Sequence, residues 1–514
     1  MKNIIPHSKN PKRRFGFGGR GFSTIEVLIA MMVMVAVFSA TALLSFGSQS
    51  MLAGGELNAG ALSRAQKLLE HQQSLARKDF NLLQNIATTS DGIYRQSVSV
   101  GVWQGDPYAT KRVTALVSWA DQNNTARSLS LDTLVSNIDH AVGGDTCGSV
   151  VSGDWVAPHI SNYALTLTGI LPSPPAGHTF GTSTPITAID AYKGKVYVAL
   201  ASTSAKVNDS LFVLDSTDPV RGPQYLASVD NNTSSIDGAE ALKAAGGYLY
   251  VANAHDANFK TCKPSVNCAQ VQIFDTSNSS SITSVAYYLL PTSSPPYVYG
   301  SGGQAVAKSI SYKDGYLFLG LSKTGNGPEF NIIDVHDPHV PVWIGGFAVG
   351  AIIKSIYTAH GYAYLATDDV ARDLIVLDIH DPSSPSLVAT YNAPNPHSES
   401  LYMLGDRLFL GLTPAFGAPE LRMLDVTDPL APALAGSQKI GASAVGVVVR
   451  DTLMFVLTST TKQLKIFDIS DVSAIATTSI LTMPGVGTSL DCEGNTLYVA
   501  SNDGGQGYVS VIAP

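Results

Sequence analysis

The hydrophobic pattern begins with one unbroken apolar block. No charged residue lies between Glu26 and Glu56, and residues 27–46 suffice to cross a bilayer as a helix. Beyond it, Leu57, Ala61, Leu62, Ala65, Leu68, Leu69, Leu75 and Phe80 recur at a helical period with polar residues between them. The spacing predicts an amphipathic helix, loosened at Gly54, Gly55 and Gly60. Apolar and polar positions then alternate over 94–103, 113–119 and 128–134, with a turn at Asp121, Gln122, Asn123 and Asn124. A helix laid on a small antiparallel sheet is expected, ending near residue 140.

From residue 185 onward a different pattern repeats. Short apolar strands follow tight turns, as at Tyr362 to Leu365, and lead to a largely apolar strand closed by aspartate, as at Leu374 to Asp378. The closing aspartates are Asp215, Asp275, Asp334, Asp378, Asp425 and Asp468, spaced 60, 59, 44, 47 and 43 residues apart. A basic period in the mid-forties with four short strands predicts propeller blades, and seven units are present. The seventh ends without a fourth strand. The alternating residues 163–171 are expected to supply it beside Tyr508 to Ile512, closing the ring and covering an open edge.

These patterns divide the chain into a leader (1–21), a long helix (22–80, membrane-spanning over about 22–46) and a small sheet (81–140). A linker (141–157) and a seven-bladed all-β propeller (158–514) follow. Only 14% of residues are charged, which suits a β-rich surface protein. The basic leader holds Lys2, Lys9, Lys12, Arg13, Arg14 and Arg20 and no acid, so the formal charge of -8 would be -14 over the rest of the chain. That balance argues against general nucleic-acid binding. The basic leader places the N-terminus in the cytoplasm and the body outside.

Of the four cysteines, Cys262 and Cys268 enclose five residues and are candidates for stapling one loop. Ring closure would bring Cys147 near the last unit, making a Cys147–Cys492 bond geometrically reasonable. None has zinc-ligand spacing. Asp-x-x-Asp-Pro recurs after the third strands. Short acids before proline accept local backbone N–H groups, so capped turns are the preferred reading over metal or catalysis. His336 and His380 are read as solvated residues of these turns. No nucleophile elbow, zinc motif, phosphate loop or paired acid/base group is present, so neither enzyme activity nor a cofactor is expected.

The N-terminal stretch carries a resemblance. A basic leader ends at Gly21, Phe22 follows, and Glu26 stands fifth after that glycine within the apolar run. A carboxylate at a membrane edge costs a few kcal/mol unless paired, and an ordinary anchor does not explain it. The stretch resembles the class III signal of type IV pilins and type II secretion pseudopilins. That resemblance implies cleavage by a prepilin peptidase between Gly21 and Phe22, N-methylation of Phe22, and pairing of Glu26 with a neighbouring subunit's amino terminus. The hairpin of 113–119 and 127–134 resembles the closing hairpin of minor pilins. The repeats resemble LVIVD-repeat propellers.

The resemblance implies a minor or tip pilus subunit, held in the inner membrane before assembly. Its partners would be other pilins and the assembly machinery. The propeller would be displayed outside the cell for adhesion, its ligand a glycan or protein. A secretion pseudopilin or a tethered surface binding protein is the alternative, and an enzyme propeller is a third reading. The long loops after second strands and between blades share one face, where recognition is expected. His255, Asp256, Tyr297, Tyr299, Asp368 and Asp369 are candidates for its rim.

Overall fold

The computed structural model describes residues 55–78, 83–103, 106–120, 125–136, 147, 151–166, 185–201, 209–217, 222–231, 236–255, 269–278, 281–290, 306–323, 327–393 and 397–514. Gly21, Phe22, Glu26 and the apolar run 27–46 lie outside these residues. Among the described residues no helix is long and apolar enough to cross a membrane. The chain forms two compact units.

The first unit is a helix, α1 (Gly55–Lys78), with a four-stranded sheet in sequential order: Ile86–Asp91, Tyr94–Trp103, Asp106–Ala120 and Ala126–Ser136. Ala61 and Ala65 are fully buried and pack against Tyr94, Ala115, Val117 and Trp119. Their small side chains let the helix approach closely. Gly60 is part of the same contact. A Cβ there would stand 2.6 Å from the Tyr94 hydroxyl, which donates to the Leu57 carbonyl at 2.9 Å. The expected loosening at Gly60 is therefore a packing requirement inside an intact helix. Arg64 lies over the Tyr94 ring at 4.2 Å and pairs with Asp91 at 2.7 Å. The strand Ile86–Asp91 was not expected. Its sequence is mostly polar and its side chains are mostly exposed, as an edge strand permits.

The second unit is a seven-bladed β-propeller. Seven four-stranded antiparallel meanders each run from an inner strand outward, and neighbouring inner strands touch all round the ring. The inner strands are Ile186–Tyr192, Ile236–Ala245, Ala307–Lys313, Ile353–Ala359, Ser398–Leu404, Ala444–Arg450 and Val486–Glu493. Third strands such as Leu374–Asp378 and Phe330–Asp334 are buried on both faces between blades, which explains the apolar run Leu374 to Leu377, while the buried Asn331 in the other is held by the Pro328 carbonyl and the Trp343 indole. Phe212, Phe274, Phe330, Phe409, Phe455 and Phe467 are each essentially inaccessible. Such burial contributes about 1.5–3 kcal/mol per side chain. Fourth strands such as Ser386–Tyr391 form the exposed rim.

Ring closure differs in position from the expectation. The strand that completes the seventh blade is His159–Ala164, pairing antiparallel to Gln506–Ala513 from Tyr508↔Ala164 to Ala513↔His159. Residues 163–171 begin only at its end, and 167–171 fall outside the described residues. An outer strand needs little apolar alternation, so His159, Ser161 and Asn162 are tolerated, and the Ser510 hydroxyl donates to Asn162 at 2.6 Å. Part of the expected linker also belongs to this unit. Trp155 is buried against Phe455, with ring centroids 4.8 Å apart, and donates to the Ser152 carbonyl. Cys147 is disulfide-bonded to Cys492, with Cα atoms 5.1 Å apart.

Candidate functional site

The two ends of the blades are built differently. At one end lie the tight turns between first and second strands and the repeated Asp turns. The aspartates closing third strands accept backbone N–H bonds two residues on: Asp215 from Thr217, Asp275 from Ser277, Asp334 from His336, Asp378 from His380, Asp425 from Thr427 and Asp468 from Ser470. The second aspartates repeat this, Asp381 accepting from Ser383 and Asp471 from Ser473. Backbone and side-chain hydrogen bonds from His380 hold Asp378 below the usual carboxylate range. The hydroxyl and N–H of Ser383 do the same for Asp381. These carboxylates are occupied as turn caps.

His380 is exposed, as a solvated turn residue should be. Both histidines are nonetheless engaged: His336, only partly exposed, and His380 each bond the aspartate two residues before at 2.7 Å and pack edge-on against a tyrosine, Tyr316 and Tyr362. Gly315, in the left-handed region at φ 78°, leaves the space that the His336 imidazole fills. Among the described residues no three His, Cys, Asp or Glu side chains converge as metal ligands.

The opposite end carries the variable loops. Asp256, Tyr297 and Tyr299 lie outside the described residues, as do Cys262 and Cys268. His255 ends a second strand, its backbone opposite Ile236. Asp369 is directed into its own loop, and Asp368 ties that loop to the segment entering the same blade. Asp368 accepts from the Ile352 N–H at 2.7 Å, and its carbonyl bonds His397 Nδ1 at 2.9 Å. Asp369 accepts from the Ala371 N–H and from Arg372 Nε at 2.7 Å. The Ala371 N–H, with Arg372, draws its pKa down.

Sequence reasoning missed what holds this face together. The residue directly ahead of a third strand is a buried acid or amide that accepts backbone N–H groups twenty positions later. Glu329 takes Val349 and Gly350, Glu420 takes Ile440 and Gly441, Asp373 takes Ala393, and Gln270 takes Leu290. Burial raises the Asp373 pKa to about 6 against the Ala393 hydrogen bond. The signal was present as a recurrent Glu, Asp or Gln before Phe330, Leu374, Leu421 and Val271.

The throat of the propeller opens on the same face. Every inner strand carries a register irregularity near its start, and the residues it extrudes are Thr187, Glu240, Lys308, Lys354, Glu399, Val445 and Thr488. All seven are half-buried. Two cross-blade ion pairs form in this tier, Glu240 with Lys308 at 2.6 Å and Lys354 with Glu399 at 3.5 Å. On the same two strands as the second pair, Tyr357 and Tyr402 stand edge-to-face with centroids 5.9 Å apart, both half-buried. Farther along the inner strands, Asp190 accepts from Lys243 at 2.6 Å and from the Ala244 N–H. Burial raises the Asp190 pKa despite the lysine. Asp491 accepts from Ala191, and Glu493 from Gly194, joining the last blade to the first.

The LVIVD repeat family matches residues 354–393, the inner strand to outer strand of the fourth blade and the turn after it. No curated protein matches the chain. Among solved structures, the periplasmic gluconolactonase of Pseudomonas aeruginosa is similar at 11% identity and TM-score 0.46, covering 75% of this chain and 96% of its own. The β-propeller domain of Myceliophteria thermophila Cps50 is similar at 11% identity and TM-score 0.43, covering 65% and 98%. Hydrazine synthase of Kuenenia stuttgartiensis reaches 12% identity and TM-score 0.43, covering 66% and 99%. At this distance such likenesses say nothing about activity.

Proposed function

We propose that this chain is a minor or tip subunit of a type IV pilus, anchored and assembled through its N-terminal helix. Its propeller recognises a surface glycan at the throat. The observation that carries the assembly half is the constellation Gly21, Phe22 and Glu26 ahead of an apolar run, followed by an amphipathic helix. The packing of Ala61 and Ala65 onto the sheet strand that carries Trp119 supports it, because a helix seated on a small sheet suits a pilin head.

The throat supports the recognition half. Lys354 and Glu399 provide a hydrogen-bond donor and an acceptor, and Tyr357 and Tyr402, half-buried against the cores between blades, bring aromatic rings to the same two strands. That is the chemistry that polyhydroxylated ligands require: apolar ring contact with a few placed polar groups. The absence of net charge in the two ion pairs favours a neutral sugar over a strongly anionic one. A propeller of some 350 residues would crowd every position of a filament, which supports a minor or tip place. A glycan array probed with the full chain in detergent tests the recognition half. Binding lost on Glu399→Gln supports it, and equal binding by wild type and variant opposes it.

A further inference from the structure

We infer that the Cys147–Cys492 bond is a mechanical bypass that keeps tension away from the strand closing the propeller ring. This rests on the display reading, in which the chain is loaded between an N-terminal anchor and a ligand held by the propeller. The closing strand His159–Ala164 is the weak point of such a molecule. It is a six-residue outer strand, paired on one side only, to Gln506–Ala513. Without the disulfide, tension from the N-terminal side meets only the Ser152–Asn495 contacts and the buried Trp155 before it enters this strand at His159, which faces Ala513 at the end of the pairing. Load applied at the end of an antiparallel pair strips its hydrogen bonds in succession, so the strand would peel and the ring would open.

The disulfide lies upstream of that point. Cys147 precedes both Trp155 and the closing strand, and it joins Cys492, which is fully buried in the innermost strand Val486–Glu493. Tension therefore leaves the chain at Cys147 and enters the centre of the last blade. There it meets a strand whose neighbours Asp491 and Glu493 hold the first blade through Ala191 and Gly194. Residues between Cys147 and His159 carry no load while the bond is intact. Their contacts, among them the buried Trp155 and Asn495 with the Ser152 carbonyl at 2.9 Å, hold the segment against the last blades without bearing that tension. A backbone bridge of Cys147 to Gly494 places the bond beside the turn leading to the second strand.

Single-molecule force spectroscopy on the full chain in detergent tests this directly. One handle is attached in the chain between Ser136 and Cys147, so that the first unit bears no load, and a second is inserted at Gly417, beside the fully exposed Phe416, where nothing lies within 4 Å of an added Cβ. The oxidised chain is expected to show no early low-force event. After dithiothreitol, a first step of roughly 10 nm should appear as the residues from Cys147 to the first inner strand are released. Cys147→Ser should give the same step without reductant, which separates it from any effect at Cys262 and Cys268. The inference is overturned if the first step has the same length and force in oxidised and reduced chains. The pulling needs no filament, so its outcome is independent of whether the chain is found in pili.

Discussion

Lys243 of the second blade donates to Asp190 of the first at 2.6 Å, and the receiving carboxylate is 4% exposed. The same carboxylate takes the Ala244 N–H at 2.7 Å, so it holds a neighbouring inner strand by side chain and backbone together. Removing the ammonium leaves a buried acid without its counter-charge. Lys243→Met is expected to cost about 3–5 kcal/mol of unfolding free energy, and Lys243→Met with Asp190→Asn considerably less. Urea titration of both variants checks this, and equal losses would contradict it.

Asp373 supplies a prediction with a defined sign. Its folded pKa is raised to about 6, above the ordinary 3.8, because it is buried ahead of its strand. A group raised on folding contributes stability that is fully present below the unfolded value and lost as pH rises through the folded one. Wild type should therefore lose roughly 2–3 kcal/mol relative to Asp373→Asn between pH 4 and pH 7.5. The asparagine retains an acceptor for Ala393. Chemical denaturation at the two pH values reads the difference, and a pH-independent gap would oppose this account.

Trp155 tests whether the segment ahead of the closing strand is structural. Its indole is 3% exposed and rests on Phe455. Trp155→Ala should cost about 3–5 kcal/mol. A loss below 1 kcal/mol would mean that the segment does not help to hold the ring.

The throat residues should separate binding from stability. Lys354 and Glu399 are about one-third and one-quarter exposed, and such pairs contribute about 0–1 kcal/mol to folding. Glu399→Gln and Tyr402→Leu are expected to reduce glycan binding at least about tenfold, as loss of a polar or aromatic contact worth about 1.4 kcal/mol does. Their melting temperatures should stay near wild type for Glu399→Gln. Binding unchanged in both variants would move the recognition site to another part of the face.

The propeller was legible because its third strands are buried on both faces. Burial forces runs such as Leu374 to Leu377, and the turn that follows requires an aspartate to cap it at Asp378. The burial recurs in every blade and the capping aspartate in every blade but the last, so the period shows through loops of different lengths. The closing strand was placed too far along because an outer strand is constrained on one side only. Tyr163 and the buried Leu165 begin the apolar alternation, whereas His159, Ser161 and Asn162 carry no apolar signal that would mark them as strand. The edge strand Ile86–Asp91 was hidden for the same reason.

The throat was not legible at all. No single residue type marks Thr187, Glu240, Lys308, Lys354, Glu399, Val445 and Thr488, and the register irregularities align them. The caps at Glu329 and Glu420 were visible in principle, one position before a recurrent strand, but their partners lie twenty residues away. Gly60 is similar. Its effect on helix propensity can be read from sequence, whereas its closeness to the Tyr94 hydroxyl requires the packed sheet.

Assembly through the N-terminal helix is the central claim, and mass spectrometry of sheared surface filaments tests it most directly. The predicted result is a filament fraction containing this chain with an N-terminal peptide that begins at N-methylated Phe22. Retention of the chain in the membrane fraction with residues 1–21 still attached, and its absence from filaments, would contradict the account.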